Sequence, residues 1–257
     1  MLEDLVWNRT DPWMTSFVNA DPNHPGGLLG LTPRRSGGCV SEWLGKQTQE
    51  FRDGIEVVVI DPSPPYASGI RRALPEVKIA VDHWHIIKLG NQMVTDTRRR
   101  VIQQQLGRRG RKIDPMWAHR LLLLTAEERL SPKQRKRLNK VLDSDDPTGE
   151  IQAAYRCKEL LRKLLASGND PRLIRKRLFA FYTACADAST VETIKLAKTV
   201  QTWWPAILVF LQMRVTNART AGFNRVIKQL KRTGCGYRNM DNYERRIMSH
   251  IALNRAA

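Results

Sequence analysis

Apolar and polar positions follow two regimes along this chain. Up to about residue 82 the apolar residues come in short runs closed by turn residues; from residue 85 onward they recur at three- and four-residue intervals. The first regime predicts strands over 14–20 and 27–31, joined by a turn in which Pro22, Pro25, Gly26 and Gly27 supply the bends. An amphipathic helix is expected over 41–51, with Trp43, Leu44 and Phe51 inward and Gly54 closing it. The strongest strand is 55–60. Nearly every position in it is apolar, as in a strand covered on both faces, and it ends in Asp61 and Pro62. A short helix over 66–74 and a buried strand over 77–81, ending in Asp82, complete a strand–helix–strand unit whose two strands should run parallel.

The second regime predicts a helix over 86–106, with Ile87, Leu89, Met93, Val94 and Val101 apolar and Arg98 to Arg100 between them. Residues 107–112 form a basic, glycine-broken linker, and further helices should cover 114–124, 131–142, 149–165, 171–186 and 191–213. Ser131 with Pro132, and Asp170 with Pro171, are helix starts: a capping side chain followed by a proline whose fixed φ suits the first turn. Trp203, Trp204 and Pro205, with Ile207, Leu208 and Phe210 following, read as core at a helix kink. A last helix opens near Thr216. The chain thus reads as an α/β part over 1–107, a helical stretch over 108–213 and a closing basic segment over 214–257. The middle stretch is a separate domain or an insertion; it is an insertion if the last helix returns to the sheet.

Charge changes the picture most. Lys and Arg number 43 against 25 acids, a formal net charge of +18. Such an excess repels itself in the compact state unless a polyanion is the usual partner, which makes nucleic acid the first candidate. A membrane surface fits less well, because no basic segment has a clean apolar face. Cys39, Cys157, Cys185 and Cys235 are scattered, so neither a zinc ribbon nor a disulfide framework is visible. No secretory signal is read at the start, and the longest apolar run, 121–124, is too short to span a bilayer. A cytoplasmic, nucleoid-associated protein with no small-molecule substrate is expected.

Asp61 sits where a buried strand ends, the place where ligands and metals collect in open α/β sheets; an acid before proline is also an acceptable turn. Glu3 and Asp4 gain meaning if an N-terminal strand lies beside 55–60, since two carboxylates from adjacent strands could share Mg²⁺. Asp82, His83, Trp84 and His85 form the next cluster. A zinc site there lacks partners, so Asp82 and His85 are expected to order the strand end, with His85 capping or packing against the helix. Over 224–246 lie Arg225, Lys228, Lys231, Arg232, Arg238, Arg245 and Arg246, with Val226, Ile227 and Leu230 as the apolar stripe. From 222 to 239 there is no carboxylate, so the segment repels itself and a phosphate backbone would relieve it. Tyr237 could stack on a base or pack locally. The basic runs 108–112 and 133–140 could be a DNA track or a soluble face.

In order along the chain stand Asp61 with Tyr66, Asp82 with His85, Thr216 to Asn224 (Thr-Asn-x-x-Thr-x-Gly-x-Asn), and Gly236-Tyr237-Arg238-Asn239. Together with Arg34-Arg35-Ser36-Gly37, this series resembles the DDE-type transposases of bacterial insertion sequences, in the ISL-three branch. The resemblance covers essentially the whole chain. It implies an α/β, RNase H-like fold: a mixed sheet with a large α-helical insertion before the last core helix. It also implies two divalent ions, Mg²⁺ or Mn²⁺, held by Asp, Asp and Glu. The first acid would be Asp4 or Glu3 and the second Asp61, with Tyr66, Asp82, His85 and Asn217 supporting. Arg219, Asn224, Arg225, Lys228, Lys231, Arg232 and Arg238 would meet DNA. The third acid of the family, a glutamate, corresponds to Ala221, which can neither bind a cation nor accept a hydrogen bond through its side chain. The family also carries an upstream DNA-binding portion, with zinc-ribbon and helix-turn-helix character, that this sequence lacks, and the first strand reads as clipped, which should weaken the sheet. The resemblance therefore implies metal-dependent cleavage and strand transfer at element ends, in a homo-oligomer on DNA, impaired in this copy. The alternatives are a non-catalytic DNA-binding protein, such as a repressor of a related element, and an RNA-binding helical protein.

Overall fold

The computed structural model describes residues 13–21, 27–235, 237 and 239–256. They fall into two compact units: Met1–Ala80 with Val215–Ala257, and Val81–Arg214. The first unit is thus made from two chain segments with the second unit between them in sequence. No helix among the described residues is long and apolar enough to cross a membrane.

In the first unit, strands β1 (Met14–Val18) and β2 (Leu28–Pro33) form an antiparallel pair, with an irregularity between Phe17 and Val18. Its inward face, Leu28 and Leu31, meets Ile227 of α11 (Ala218–Thr233) and Tyr243, Ile247 and Ile251 of α12 (Met240–Ala256), with Met14, Val18, Phe223 and Leu230 packed around them. The basic segment at the C-terminal end therefore returns to the N-terminal hairpin. It is two helices, not one run, because Gly234 closes α11. Of the expected stripe, Ile227 and Leu230 pack, joined by Phe223, and Tyr237 stacks on Tyr243 with ring centres 4.6 Å apart.

The helix expected over 41–51 is instead α1 (Gly37–Gly45) and α2 (Gln49–Asp53). Two caps cause the break: the Ser36 hydroxyl accepts from Cys39 N at 3.2 Å, and Thr48 does the same for Phe51 N at 3.2 Å. The early start at two glycines has a packing cause. Gly37 and Gly69 lie backbone to backbone, so that a Cβ on Gly69 would fall on the Gly37 carbonyl and one on Gly37 would fall on the carbonyl of Pro65. Gly69 belongs to α3 (Pro64–Ala73), which connects β3 (Val57–Ile60) to its hydrogen-bonded neighbour β4 (Lys78–Val81). Among the described residues the strands make two separate pairs, β1–β2 and β3–β4, and not one mixed sheet. Nor is β3 covered on both faces: Val57, Val58 and Val59 are half-buried and Ile60 alone is fully buried.

The second unit is helical: α4 (His83–Leu106), α5 (Pro115–Ala118), α6 (Arg120–Leu124), a single 3₁₀ turn at Glu127–Arg129, α7 (Pro132–Asp145), α8 (Glu150–Leu165), α9 (Pro171–Ala188) and α10 (Val191–Met213). The stretch read as one helix over 114–124 breaks at His119, and α4 starts three residues before the expected 86. It belongs to this unit and packs on α8 and α10. The core is built from helix faces at three- and four-residue spacing, as in Ile151, Ala154, Cys157, Leu161, Leu164 and Leu165 of α8. Buried charge lies on that same face: Lys158 Nζ donates to the Leu123 and Thr125 carbonyls at 2.6 and 2.9 Å and pairs with Glu159 at 2.6 Å. Arg100 of α4 bridges Glu150 and Glu192, acids in the first turns of α8 and α10, at 2.6 and 2.8 Å. Trp203 and Trp204 are half-buried, so the core at Pro205 is made by Ala206, Ile207 and Phe210 instead.

Candidate active site

Asp61 follows directly on β3, before Pro62 and the Ser63 N-cap of α3 with its two prolines. Its partner comes from the far end of the first unit. Asn217 caps α11, yet its side chain makes no capping bond to its own helix. Its Nδ2 instead donates to Asp61 Oδ1 at 3.2 Å, a contact between residues 156 apart in sequence. The Asn217 carbonyl accepts from Ala221 N at 3.1 Å, which places Ala221 one turn along on the same side of the helix. Ala221 is exposed. The N-terminus of a helix favours a carboxylate by its unpaired N–H groups and dipole; the residue there supplies none.

The rest of α11 divides by role. Arg219 Nη1 donates to the carbonyls of Asn19, at 3.3 Å, and Asp21. Asn224 Oδ1 accepts from Ser16 Oγ at 2.8 Å. These two also carry bonds within the unit, tying β1 and the residues after it to α11. Arg225, Lys228 and Arg232 are exposed and Lys231 is half-buried. Arg238 lies outside the described residues, as do Glu3 and Asp4.

Tyr66, on α3, meets the Thr15 hydroxyl at 2.7 Å, and Thr15 Oγ1 donates to the Arg34 carbonyl at 2.8 Å. A hydroxyl has one proton, so Tyr66 is the donor to Thr15. Burial pushes the Tyr66 phenol above its ordinary range, in keeping with a retained proton. Arg34 holds a left-handed backbone, φ 77°, unusual for a side chain of that size. Sequence reasoning missed Thr15 and Ser16. Their signal was two hydroxyls inside an otherwise apolar strand run.

Asp82 and His85 belong to the second unit. Asp82 is the N-cap of α4: Oδ1 accepts from Trp84 N at 3.0 Å, with His83 Nδ1 at 3.4 Å and His85 Nδ1 at 3.8 Å from its oxygens. Burial works to raise the Asp82 pKa, but the neighbouring His83 ring and the Trp84 N–H bond outweigh it and hold the carboxyl below its usual range. His83 and His85 lie in the first turn of α4 rather than on a strand, and the His83 ring stacks on Phe210 at 4.6 Å. Among the described residues no three His, Cys, Asp or Glu side chains gather as a metal cluster.

This geometry joins the end of a β-strand to the first turn of a distant helix, with Asn217 as the link. A family profile described as Transposase, of the ISL-three group, matches residues 3–247. The transposase for insertion sequence element IS1001 of Bordetella parapertussis is 24% identical over 218 residues, covering 84% of this chain and 52% of that protein. The chain thus spans about half the length of the curated relative it matches. No solved structure matches it. With nearly all of its length matched by the profile, the chain belongs to the ISL-three family of transposases.

Proposed function

We propose that this chain is the catalytic portion of an insertion-sequence transposase of the DDE type, with an RNase H-like core and an inserted helical region, in a copy whose cleavage chemistry is impaired. Its substrate on this reading is DNA, at element ends and target, engaged by an oligomer. The observation that carries the reading is the Asn217–Asp61 bond, which brings the first turn of α11 to the end of β3. A glutamate at 221 would stand one turn from the residue that holds Asp61, within reach of the same place.

The described residues do not by themselves fit a two-ion Mg²⁺ or Mn²⁺ site. Asp61 offers one carboxylate, Ala221 offers none, and the first acid, Asp4 or Glu3, falls outside the described residues. We derive no cleavage step through such a site. What the chain's own residues do is narrower. Asn217 orients Asp61, Arg219 and Asn224 fix the hairpin to α11, and the exposed Arg225, Lys228 and Arg232 present charge to a phosphate backbone.

The test compares Mn²⁺-dependent nicking of labelled element-end DNA by the chain and by Ala221→Glu, each first checked for folding. Nicking by Ala221→Glu alone, abolished by Asp61→Ala, supports the reading. A second reading, a DNA-binding repressor without chemistry, is favoured by the exposed alanine at 221. It predicts DNA binding that neither Ala221→Glu nor Asp61→Ala alters, and no nicking even when an upstream portion from an intact relative is supplied.

A further inference from the structure

We propose that the outer face of α7, in the second unit, is a docking surface for the phosphate backbone of duplex DNA, separate from the cations of α11. The inference rests on the nucleic-acid reading above but not on the chemistry at Asp61.

Charge density singles out this helix: five of the eight residues from 133 to 140 are Lys or Arg. Elsewhere in the second unit some cations meet acids, Arg100 with Glu150 and Glu192, Arg108 with Asp114, Arg162 with Glu128, Lys163 with Glu127, and exposed ones such as Arg175, Lys176, Lys195 and Lys198 are spread over two helices. On α7, Lys133, Lys136, Arg137 and Lys140 are all exposed, and none has an acid within ion-pair distance among the described residues. They stand at three-, four- and seven-residue separations, so they share one side of the helix and repel one another. Leu138, Val141 and Leu142 are buried on the opposite side. The helix is held in place from beneath, and its start is fixed by Pro132 and a reciprocal capping box, Gln134 N to Ser131 at 3.3 Å and Ser131 N to Gln134 at 2.9 Å. A rigid helix that carries unpaired cations at fixed intervals is preorganised for a regular polyanion.

The spacing fits a duplex. From Lys133 to Lys140 the helix rises about 10 Å, which matches roughly three phosphates of one strand at about 3.4 Å of axial spacing each. Asn139 lines a concavity with Arg135, Lys136, Lys140 and Ser144, where Asp143 is the single acid. An uncharged donor there suits a phosphate oxygen, as amide side chains commonly do.

The experiment uses the whole chain. Binding of a 30-base-pair duplex is measured against salt for the parent, for a variant with Lys133→Gln, Lys136→Gln, Arg137→Gln and Lys140→Gln, and for a control that removes four exposed cations elsewhere in the unit (Arg175→Gln, Lys176→Gln, Lys195→Gln, Lys198→Gln). Circular dichroism confirms that each folds. The expected result is a slope of log K against log salt that falls by about 3 to 4 in the α7 variant, roughly 0.9 per lost phosphate contact, and by less than about 1 in the control. Equal losses in both variants, or an unchanged slope in the α7 variant of a parent that binds DNA, overturn the inference while leaving the DNA reading standing. Tighter binding of the parent to a single-stranded or duplex RNA of the same length, with the α7 effect confined to it, overturns the choice of DNA. A parent that binds no nucleic acid overturns both.

Discussion

The two units hold their functional residues by opposite means. In the helical unit buried charges such as Lys158 have partners, and the burial of whole helix faces fixes the backbone. Arg100 satisfies two acids at once, and Lys158 is fully buried only because two carbonyls and Glu159 surround it. In the unit that carries Asp61, single hydrogen bonds across long stretches of chain set the geometry: Asn217 to Asp61, Ser16 to Asn224, Tyr66 to Thr15. The lesson is one of redundancy. A helical bundle spreads its constraint over many contacts, whereas among the described residues the candidate site is tied across the chain by individual hydrogen bonds, each worth about 1 kcal/mol net. Loss of one bond should misplace the site well before it unfolds the unit.

The contrast can be broken hardest at Lys158. Lys158→Met leaves Glu159 buried with a weaker partner and orphans the Leu123 and Thr125 carbonyls, and it should cost the helical unit about 3–5 kcal/mol. Urea denaturation followed by hydrogen exchange at α8 amides would register it, and a loss under about 1 kcal/mol would mean that the ammonium is not a structural staple. The matching blow to the first unit is Gly69→Ala. A methyl group there falls on the Gly37 carbonyl, backbone against backbone, so α1 and α3 must part at a cost of about 3 kcal/mol. Exchange protection should fall in α1 and α3 and hold in α8; uniform loss across the chain would show that the units do not melt independently.

A smaller effect depends on pH. Arg100 holds the Glu192 carboxyl below its ordinary value of 4.5, so the unfolded chain takes up that proton first as pH drops. The stabilisation is present above that value and is lost as pH falls through the depressed pKa. Discounted for solvent exposure it is about 1 kcal/mol. Arg100→Met should therefore lower the urea midpoint at pH 6 and converge on the parent near pH 3, and a constant gap across that range would contradict the assignment. Smallest is Ser189→Gly. Ser189 closes α9 in a left-handed conformation, φ 48°, which costs a serine more than a glycine. The helical unit should gain about 0.5–1 kcal/mol, read as a rise in melting temperature.

The legible and illegible parts of the fold separate by range of interaction. Pro171 and Val191 open α9 and α10 where caps and apolar periodicity placed them, since both signals are local. The early start of α1 was hidden: Gly37 reads as a poor helix former until its packing on Gly69 is seen. Asp82 was noticed as a strand end, and its second role as the N-cap of α4 follows from helix hydrogen bonds that begin at His83. Arg219 and Asn224 were read as DNA contacts on charge and motif position, and the structure adds that their polar groups bond the hairpin. A side chain's type says what it can bond, not which neighbour reaches it first.

By itself the sequence determined the family, the cationic character of the chain and most helix positions. It also determined the alanine at 221, because composition, periodicity and motif order are written along the chain. The tertiary structure alone decided that Asn217 reaches Asp61 across 156 residues, and that the hairpin packs on the two C-terminal helices. It also decided which of many similar cations stand exposed without acids. Those outcomes depend on contacts between distant segments, where burial and hydrogen-bond geometry choose among partners that the local sequence leaves equivalent.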